Sequence, residues 1–202
     1  MRGLRLPRSR SAHRPSRPYR YVVSLLAALA LLAVPAVASA AKGFTEEVAS
    51  ARWLIDFQCP DGSTASGGRL IVETDNFIEA GTARDPNPPL RIGFVGQCPD
   101  GTFSWGFTKP AATQFDSDLK SVSVTGTFAG VRDNRGGLHT VSVNAVWTGT
   151  GPVTTTVNGA GSKRRQRAAT ATARIVFDGS TLVDGASNFP FPAPFIRIDT
   201  EN

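Results

Sequence analysis

The chain has 202 residues, of which 22 are Lys or Arg and 16 are Asp or Glu, giving a formal net charge of +6. Seven of the cations are arginines within residues 1–40, which contain no acid, so residues 41–202 carry 15 cations against 16 acids. A basic chain often indicates a nucleic-acid partner, but here the excess lies in one short segment. The charge balance therefore argues against nucleic-acid binding by the rest of the chain.

Residues 1–40 have the pattern of a secretory signal peptide. An arginine-rich start precedes an almost pure run of Val, Leu and Ala from 21 to 37, followed by an Ala-Ser-Ala cleavage site that ends at Ala40. The apolar run is shorter than the roughly 20 residues that span a bilayer, which disfavours the alternative of an uncleaved anchor. We predict a secreted or cell-surface domain, 41–202, that meets a membrane only during export.

The remaining segment is long enough for one domain with a substantial core. Apolar and polar residues alternate along it, with turn residues between the alternating stretches, as in antiparallel sheets. The pattern predicts an all-β, single-domain antiparallel β-sandwich, with a barrel as the alternative. Only residues 45–51 favour a short helix. The predicted strands lie around 53–57, 69–79, 90–98, 103–107, 122–128, 141–147 and 169–177.

Two copies of one short motif each place a cysteine before a turn. Residues 58–63 read Gln-Cys-Pro-Asp-Gly-Ser and residues 97–102 read Gln-Cys-Pro-Asp-Gly-Thr. Pro-Asp-Gly is turn chemistry, because proline presets φ, aspartate bonds its own backbone and glycine takes a positive φ. In an oxidising compartment Cys59 and Cys98 predict one disulfide.

The aspartates of the two motifs are candidate metal ligands, as are Asp116 and Asp118, a D-x-D pair that we favour as part of a polar loop. Asp61 and Asp100 could together supply oxygen ligands to calcium, which takes several such ligands from loops. The turn chemistry explains each residue of both motifs without a metal, so we favour turns. The prediction is no metal site and no cofactor.

Three segments together resemble a loose group of secreted, β-rich bacterial proteins. They are the Cys-Pro-Asp-Gly turn at 59–62, the Trp-Thr-Gly-Thr-Gly-Pro-Val segment at 147–153, and the Ala/Thr alternation at 168–173. The group has no assigned activity, so the resemblance implies a secreted β protein and no particular site residue. The abundance of Ala and the excess of Arg over Lys fit a bacterium with a GC-rich genome.

No catalytic motif is present in the sequence. His139 is the one histidine after residue 40, and no nucleophile elbow accompanies it, so we interpret it as a surface residue beside a turn. A hydrolase built on paired carboxylates stays open as an alternative, because such enzymes need only two acids at a set separation. The candidates are Asp56, Glu73 and Glu79.

Two further segments are candidate contact surfaces. The first holds Lys163, Arg164, Arg165 and Arg167, which we place at the long tip of a hairpin, where they would bind an anionic cell-wall or extracellular polymer. The second, residues 189–195, alternates phenylalanine with proline and predicts an edge segment whose rings cover the core.

Taken together, the sequence predicts a secreted, non-catalytic protein that binds a polymer or forms part of the cell envelope. A carboxylate-pair hydrolase is the first alternative. The second is an extracellular protein–protein interaction module, which requires the rings of residues 189–195 to be exposed.

Overall fold

A computed structural model describes residues 43–158 and 161–201, and it shows a protein built from β-strands, with no helix in those ranges. The predicted signal peptide and its cleavage site at Ala40 lie outside the described residues. Nothing in the described ranges is a helix that could cross a membrane. The ten strands are β1 (Phe44–Gln58), β2 (Thr64–Glu79), β3 (Pro89–Cys98), β4 (Gly101–Pro110), β5 (Ala112–Phe115), β6 (Ser121–Arg132), β7 (Leu138–Val157), β8 (Lys163–Phe177), β9 (Ser180–Ala186) and β10 (Phe195–Glu201).

All strand neighbours are antiparallel, and they follow the order β4-β3-β2-β1-β10-β8-β7-β6-β5, with β9 beside β8. Two meanders, β1 to β4 and β5 to β9, are joined by β10, which lies between β1 and β8. The ladder is not closed, although one isolated bridge joins Trp105 of β4 to Asp133 after β6. The all-β antiparallel class is confirmed, while the division into two sandwich layers stays a prediction.

The helix predicted for residues 45–51 is wrong, because this segment is the first half of β1. Its alanines and glutamates favour a helix locally, but β2 pairs along one edge of the segment and β10 along the other. Val48, Ala49 and Ser50 follow one another and are all buried, so both faces of this part of β1 are covered. A strand covered on both faces lacks the alternation of apolar and polar residues that identifies a half-buried strand.

Three strands were not predicted. β5 and β9 are short, and most of their residues are exposed, so they carry little of the alternation that identifies a strand. β10 does alternate, with Ile196 and Ile198 buried, but it follows directly on the proline-rich segment. The seven predicted strands all exist, and most extend beyond their predicted limits.

The core lies along the inward face of nearly every strand. Trp53, Trp105 and Trp147 are all buried in it, as the sequence predicts. Aromatic rings of β1, β3 and β4 pack together in this core: Phe94 stacks on Trp105 and contacts Phe57 edge-on. This aromatic layer fixes the position of β1 against β3 and β4.

Gly96 of β3 is required by the close approach of the Phe57 ring. A Cβ built at Gly96 would lie 2.2 Å from the ring, whereas one at Gly93 of the same strand would meet only Ile71, at 3.4 Å. We expect Gly96→Ala to lower the free energy of unfolding by about 1–3 kcal/mol, the usual cost of overpacking. Gly93→Ala is the matched control and should change it by less than about 1 kcal/mol. Equal effects in chemical denaturation would contradict this packing argument.

The predicted disulfide joins Cys59 and Cys98, with their Cα atoms 5.9 Å apart. The turn interpretation of the first motif is also confirmed. Gly62 has a φ of +83°, and the Asp61 carboxylate accepts hydrogen bonds from the backbone N–H and the hydroxyl of Ser63, at 2.9 and 2.6 Å. The disulfide thus ties the turn after β1 to the turn after β3, and a bond of this kind indicates an oxidising compartment.

At the opposite end of the sheet a buried carboxylate forms an ion pair with a partly exposed arginine. The Glu47 side chain of β1 is only 3% exposed and is paired with Arg84, which comes from the β2–β3 connection. Arg84 also donates to the carbonyl oxygen of Phe115 at 2.8 Å, and Asn76 donates to Glu47 at 3.4 Å. Arg84 therefore holds the connection over this end of the core.

The phenylalanines of residues 189–195 differ in burial. Phe191 is 82% exposed, which corrects the prediction that these rings all cover the core, while Phe189 and Phe195 are half-buried. Residues 189–194 form no strand. The side chain of Asn188, just before them, forms hydrogen bonds with the backbone of Leu54. The interaction-module alternative requires all of these rings to be exposed, and Phe191 alone meets that requirement.

Candidate functional site

The tight turn between β6 and β7 holds the Asp133 carboxylate in a fixed position. Its Oδ1 accepts hydrogen bonds from the backbone N–H groups of Arg135 and Gly137, at 2.9 and 2.7 Å. Aspartate often closes turns in this way. The second oxygen, Oδ2, is left to face the start of β7, where it lies 2.9 Å from Nε2 of His139.

His139 is held by a carboxylate on each side. Its Nδ1 lies 2.6 Å from Oδ2 of Asp178, which follows β8, and Oδ1 of Asp178 accepts from the backbone N–H of Thr140 at 2.8 Å. The ring packs on Phe177 with centroids 4.5 Å apart. We call Asp133, His139 and Asp178 the histidine cluster. It joins the end of β6, the start of β7 and the β8–β9 turn.

The cluster favours a charged imidazolium. Burial of the His139 ring opposes its protonation, but the hydrogen bonds with Asp178 and Asp133 outweigh burial, and the pKa of His139 is raised. The hydrogen bond with His139 lowers the pKa of Asp133, against the effect of burial. Burial acts to raise the pKa of Asp178, but its bonds with His139 and Thr140 prevail and the pKa is lowered.

These directions predict a stability maximum in weak acid. The stabilisation from His139 is complete below its unfolded pKa of about 6.5 and is lost as the pH rises through its raised folded value. The stabilisation from the two aspartates is complete above their unfolded pKa of about 3.9 and is lost as the pH falls through their lowered folded values. The window of full stabilisation therefore lies between about pH 4 and pH 6.5.

We expect His139→Gln to remove the alkaline side of this profile. Glutamine keeps a polar group but no charge, so the variant should lose about 2 kcal/mol at pH 6, within the range for hydrogen bonds to charged groups. It should lose less as the pH rises through the raised pKa of His139, because the wild-type imidazole then loses its own charge. The check is urea unfolding across pH, and parallel wild-type and variant profiles above pH 6 would contradict the assignment.

The cluster lies on the wall of a cavity of about 530 Å³ at the disulfide end of the sheet. Aromatic rings of Phe57, Phe103 and Phe177 line the cavity, and the hydroxyl groups of three side chains add polar atoms. An apolar surface with a few placed polar groups is the usual composition of a ligand site. The hydroxyl residues are Thr64, Ser180 and Thr181, and the cavity also includes Asp56 and Leu182.

A second cavity of about 220 Å³ continues the first along the gap between β1 and β9. Asp56 and Leu182 line both cavities, and Asn188 lies at the far end of the smaller one. We call the two cavities together the β1–β9 cleft. It is the candidate functional site.

His139 is not placed to act as an activated base. Both ring nitrogens of His139 are engaged by carboxylates, so neither is free to accept a proton from a nucleophile. Within the described ranges, no group of three or more His, Cys, Asp or Glu side chains is arranged to hold a metal ion. The arrangement can bind and orient a ligand and exclude water from it. The histidine cluster keeps a fixed charge on the wall of the cleft.

The structure places the predicted cation segment in a strand. β7 ends at Val157 and β8 begins at Lys163, so Lys163, Arg164, Arg165 and Arg167 lie in β8 between β7 and β10. The long basic tip is therefore a wrong prediction, because β10 supplies a second partner that extends the ladder. Binding of an anionic polymer by these residues stays a prediction.

Three of the four cations already have partners inside the protein. Arg164 forms a bidentate pair with Asp199, at 2.7 and 3.2 Å. Arg165 donates to the carbonyl oxygen of Ser117 at 3.2 Å, and Arg167 donates to that of Gly151 at 2.9 Å. These contacts reduce the charge available to a polyanion.

The remaining predicted acids are not gathered in one place. The Asp100 carboxylate forms a bidentate pair with Arg135, at 2.6 and 2.8 Å, so it has a partner other than a metal. Asp116 and Asp118 belong to the β5–β6 turn, where Asp116 accepts the backbone N–H of Asp118 at 2.8 Å. Glu73 and Glu79 lie in β2, outside the cleft, and Asp56 alone of the carboxylate candidates lines it.

The histidine cluster was missed because its members are far apart in the sequence. The Gly-Gly turn at 136–137 makes Asp133 and His139 neighbours across a hairpin, a signal that the sequence does contain. Asp178 lies 39 residues beyond His139, and only the pairing of β7 with β8 brings them together.

The comparisons with known proteins returned no match: no family model fits the chain, and no curated protein or solved structure matches it significantly. The interpretation of the cleft therefore depends on its own geometry and chemistry.

Proposed function

We propose that this is a secreted, non-catalytic binding protein that holds an extracellular polymer in the β1–β9 cleft. The observation that carries the proposal is the cleft itself, with an aromatic lining, polar groups and two cavities in a row. Two adjoining cavities suit a segment of a chain better than one compact molecule. Relative to the sequence-based prediction, the ligand is still an extracellular polymer, but it is no longer specified as anionic and its proposed site is the cleft instead of β8.

The state of the carboxylates supports a non-catalytic role. A carboxylate-pair hydrolase needs one acid that is still protonated near neutral pH, which requires a raised pKa. Asp133 and Asp178 both have lowered pKa values and are both bonded to His139. Neither can act as a general acid, so the cluster serves to hold the wall of the cleft.

Export is supported by two independent features. The disulfide between Cys59 and Cys98 indicates an oxidising compartment. The pattern of residues 1–40, which ends at the small-residue site before residue 41, is that of a cleaved signal peptide. An exported binding protein of this kind would meet polymers of the envelope or of the surroundings.

The test is thermal unfolding of the oxidised protein with a polyanion, a neutral polysaccharide and a basic polypeptide. A ligand that binds only the folded state adds about 2.7 kcal/mol of stability at a hundredfold excess over Kd. We expect a shift with one ligand of the panel, and its loss in Thr181→Trp, which fills the cleft from β9.

Thr125→Trp on β6 is the matched control, since Thr125 is an exposed strand threonine that does not line the cleft. A shift that survives in both variants would place the ligand elsewhere and contradict the proposal. A panel without any shift would contradict polymer binding as such.

A further inference from the structure

One edge of β1 lacks a strand partner along its second half. β2 pairs with β1 from Phe44 to Gln58, but β10 pairs with the other edge only from Phe44 to Ser50. Beyond Ser50, polar side chains take over: the hydroxyl of Ser187 donates to the carbonyl oxygen of Arg52 at 2.6 Å. The sheet therefore opens at this point, on the side where β9 lies.

Asn188 occupies the next position as a strand would. Its side-chain oxygen accepts from the backbone N–H of Leu54 at 2.7 Å, and its side-chain nitrogen donates to the carbonyl oxygen of Leu54 at 2.9 Å. An amide side chain carries the same donor and acceptor as a peptide group. The edge of β1 is thus already bonded by a peptide-like group at Leu54, at the far end of the smaller cavity.

The following main-chain groups of the same edge continue into the cleft. Backbone groups alternate between the two edges of a strand, so those of Asp56 and Gln58 point to the same side as those of Leu54. Both residues line the larger cavity. Among the described strands none pairs with this stretch of the edge, because β9 has only β8 as its partner.

The opposite wall of the cleft is a second strand with one paired edge. β9 runs antiparallel to β8, and residues Leu182 to Ala186 line the smaller cavity opposite Leu54 to Asp56. The indole N–H of Trp53 donates to the carbonyl oxygen of Gly185 at 3.3 Å, and this bond joins the β1 wall to the β9 wall. Exposed strand edges of this kind accept an added strand.

The charge of the lining selects the ligand. His139 is the one cationic group among the residues that line the two cavities, and both of its nitrogens are engaged. The carboxylates are more numerous, and although Asp133 and Asp178 bond His139, Asp56 and Asp184 leave the lining with a net negative charge that favours a cation.

We propose that the β1–β9 cleft binds an extended, basic segment of a partner polypeptide, which adds as a strand to the free edge of β1. This inference rests on the proposed function, because it names the polymer as a polypeptide. Main-chain hydrogen bonds to Asp56 and Gln58 supply affinity, and Lys or Arg side chains at alternate positions reach the carboxylates of the cleft. The hydroxyl and amide groups of a glycan do not reproduce the alternating donors and acceptors of a strand.

The probe is an eight-residue peptide that alternates lysine and threonine, titrated against the oxidised protein. We expect saturable binding and slower hydrogen exchange at the backbone amides of Asp56 and Gln58. A peptide with the same charges and N-methyl groups on alternate amides should bind about tenfold more weakly, because one edge of it cannot form a ladder. An alternating glutamate–threonine peptide should not bind at a similar concentration.

Two charge-reversal variants complete the test. Asp56→Lys lies in the cleft and should weaken binding of the basic peptide by about tenfold or more. Asp118→Lys makes the same change on the β5–β6 turn, at a side chain that is 65% exposed, and should leave binding unchanged. Equal affinity of both variants, or of the N-methylated peptide, would overturn strand addition.

The same panel separates this inference from the proposed function. If a neutral polysaccharide binds and Thr181→Trp blocks it, while the basic peptide does not bind, the polypeptide inference is overturned and the proposed function stands. If nothing in the panel binds, both are overturned. Binding of the peptide with protection of Asp56 and Gln58 supports both.

Discussion

Replacing Arg84 with methionine should lower the free energy of unfolding by about 3–5 kcal/mol, the usual result of leaving one buried charge without its partner. The Glu47 side chain is 3% exposed and has Arg84 as its ion-pair partner. Burial raises the pKa of Glu47, while Arg84 and Asn76 act against that rise. Without the guanidinium, Glu47 must lose its charge or the end of the core must open.

The pH dependence of the Arg84→Met variant distinguishes the effect of an unpaired Glu47 charge from simple loss of packing. Because the folded pKa of Glu47 is raised further, its protonated form is favoured in the fold, and the loss of stability grows as the pH rises above the unfolded value of about 4.3. We expect a smaller loss at pH 4 than at pH 7 in denaturant unfolding.

The control is the double variant Glu47→Leu with Arg84→Met. It replaces the buried pair with apolar groups of similar size and should be more stable than Arg84→Met alone, since no uncompensated charge remains. If the single and double variants lose equal stability, the effect lies in the packing of the β2–β3 connection and not in the charge of Glu47.

Removal of the disulfide should have the second large effect. Cys59 and Cys98 are 39 residues apart, and closing a loop of that length stabilises a fold by about 4 kcal/mol in the chain-entropy model. We expect the double variant Cys59→Ser, Cys98→Ser to lose a similar amount, measured by urea unfolding. The loss acts mainly through the unfolded chain, so the native near-ultraviolet spectrum should change little.

Reduction of the wild-type protein is the internal control, because it breaks the same bond without a substitution. Reduced wild type and the double serine variant should unfold at the same urea concentration. A loss below about 1 kcal/mol in both would mean that the loop is already constrained in the unfolded state.

The sequence predicted the fold class because the evidence for it is local. Trp53, Ile55 and Phe57 alternate with polar residues, and so do the alanines of β8. Such alternation within a short stretch predicts a strand with one buried face. The two Cys-Pro-Asp-Gly turns likewise carry their own chemistry. Both features survive in the structure because tertiary contacts reinforce them.

The candidate site was less predictable because it depends on which strands become neighbours. Lys163 to Arg167 look like a hairpin tip until β10 is known to lie beside them. His139 looks isolated until β7 pairs with β8 and brings Asp178 to its ring. The free edge of β1 can be recognised only after β10 is seen to end its pairing at Ser50.

The central position of β10 has a consequence for how the protein is made. This strand comes last among the described ones, yet it lies between β1 and β8 and pairs Glu201 with Phe44, the first residue of the first strand. A chain emerging from the ribosome can form its two meanders but cannot join them until β10 has appeared. The whole sheet can therefore form only after β1 to β9 have been made, and its many long-range pairings place it among slowly folding proteins.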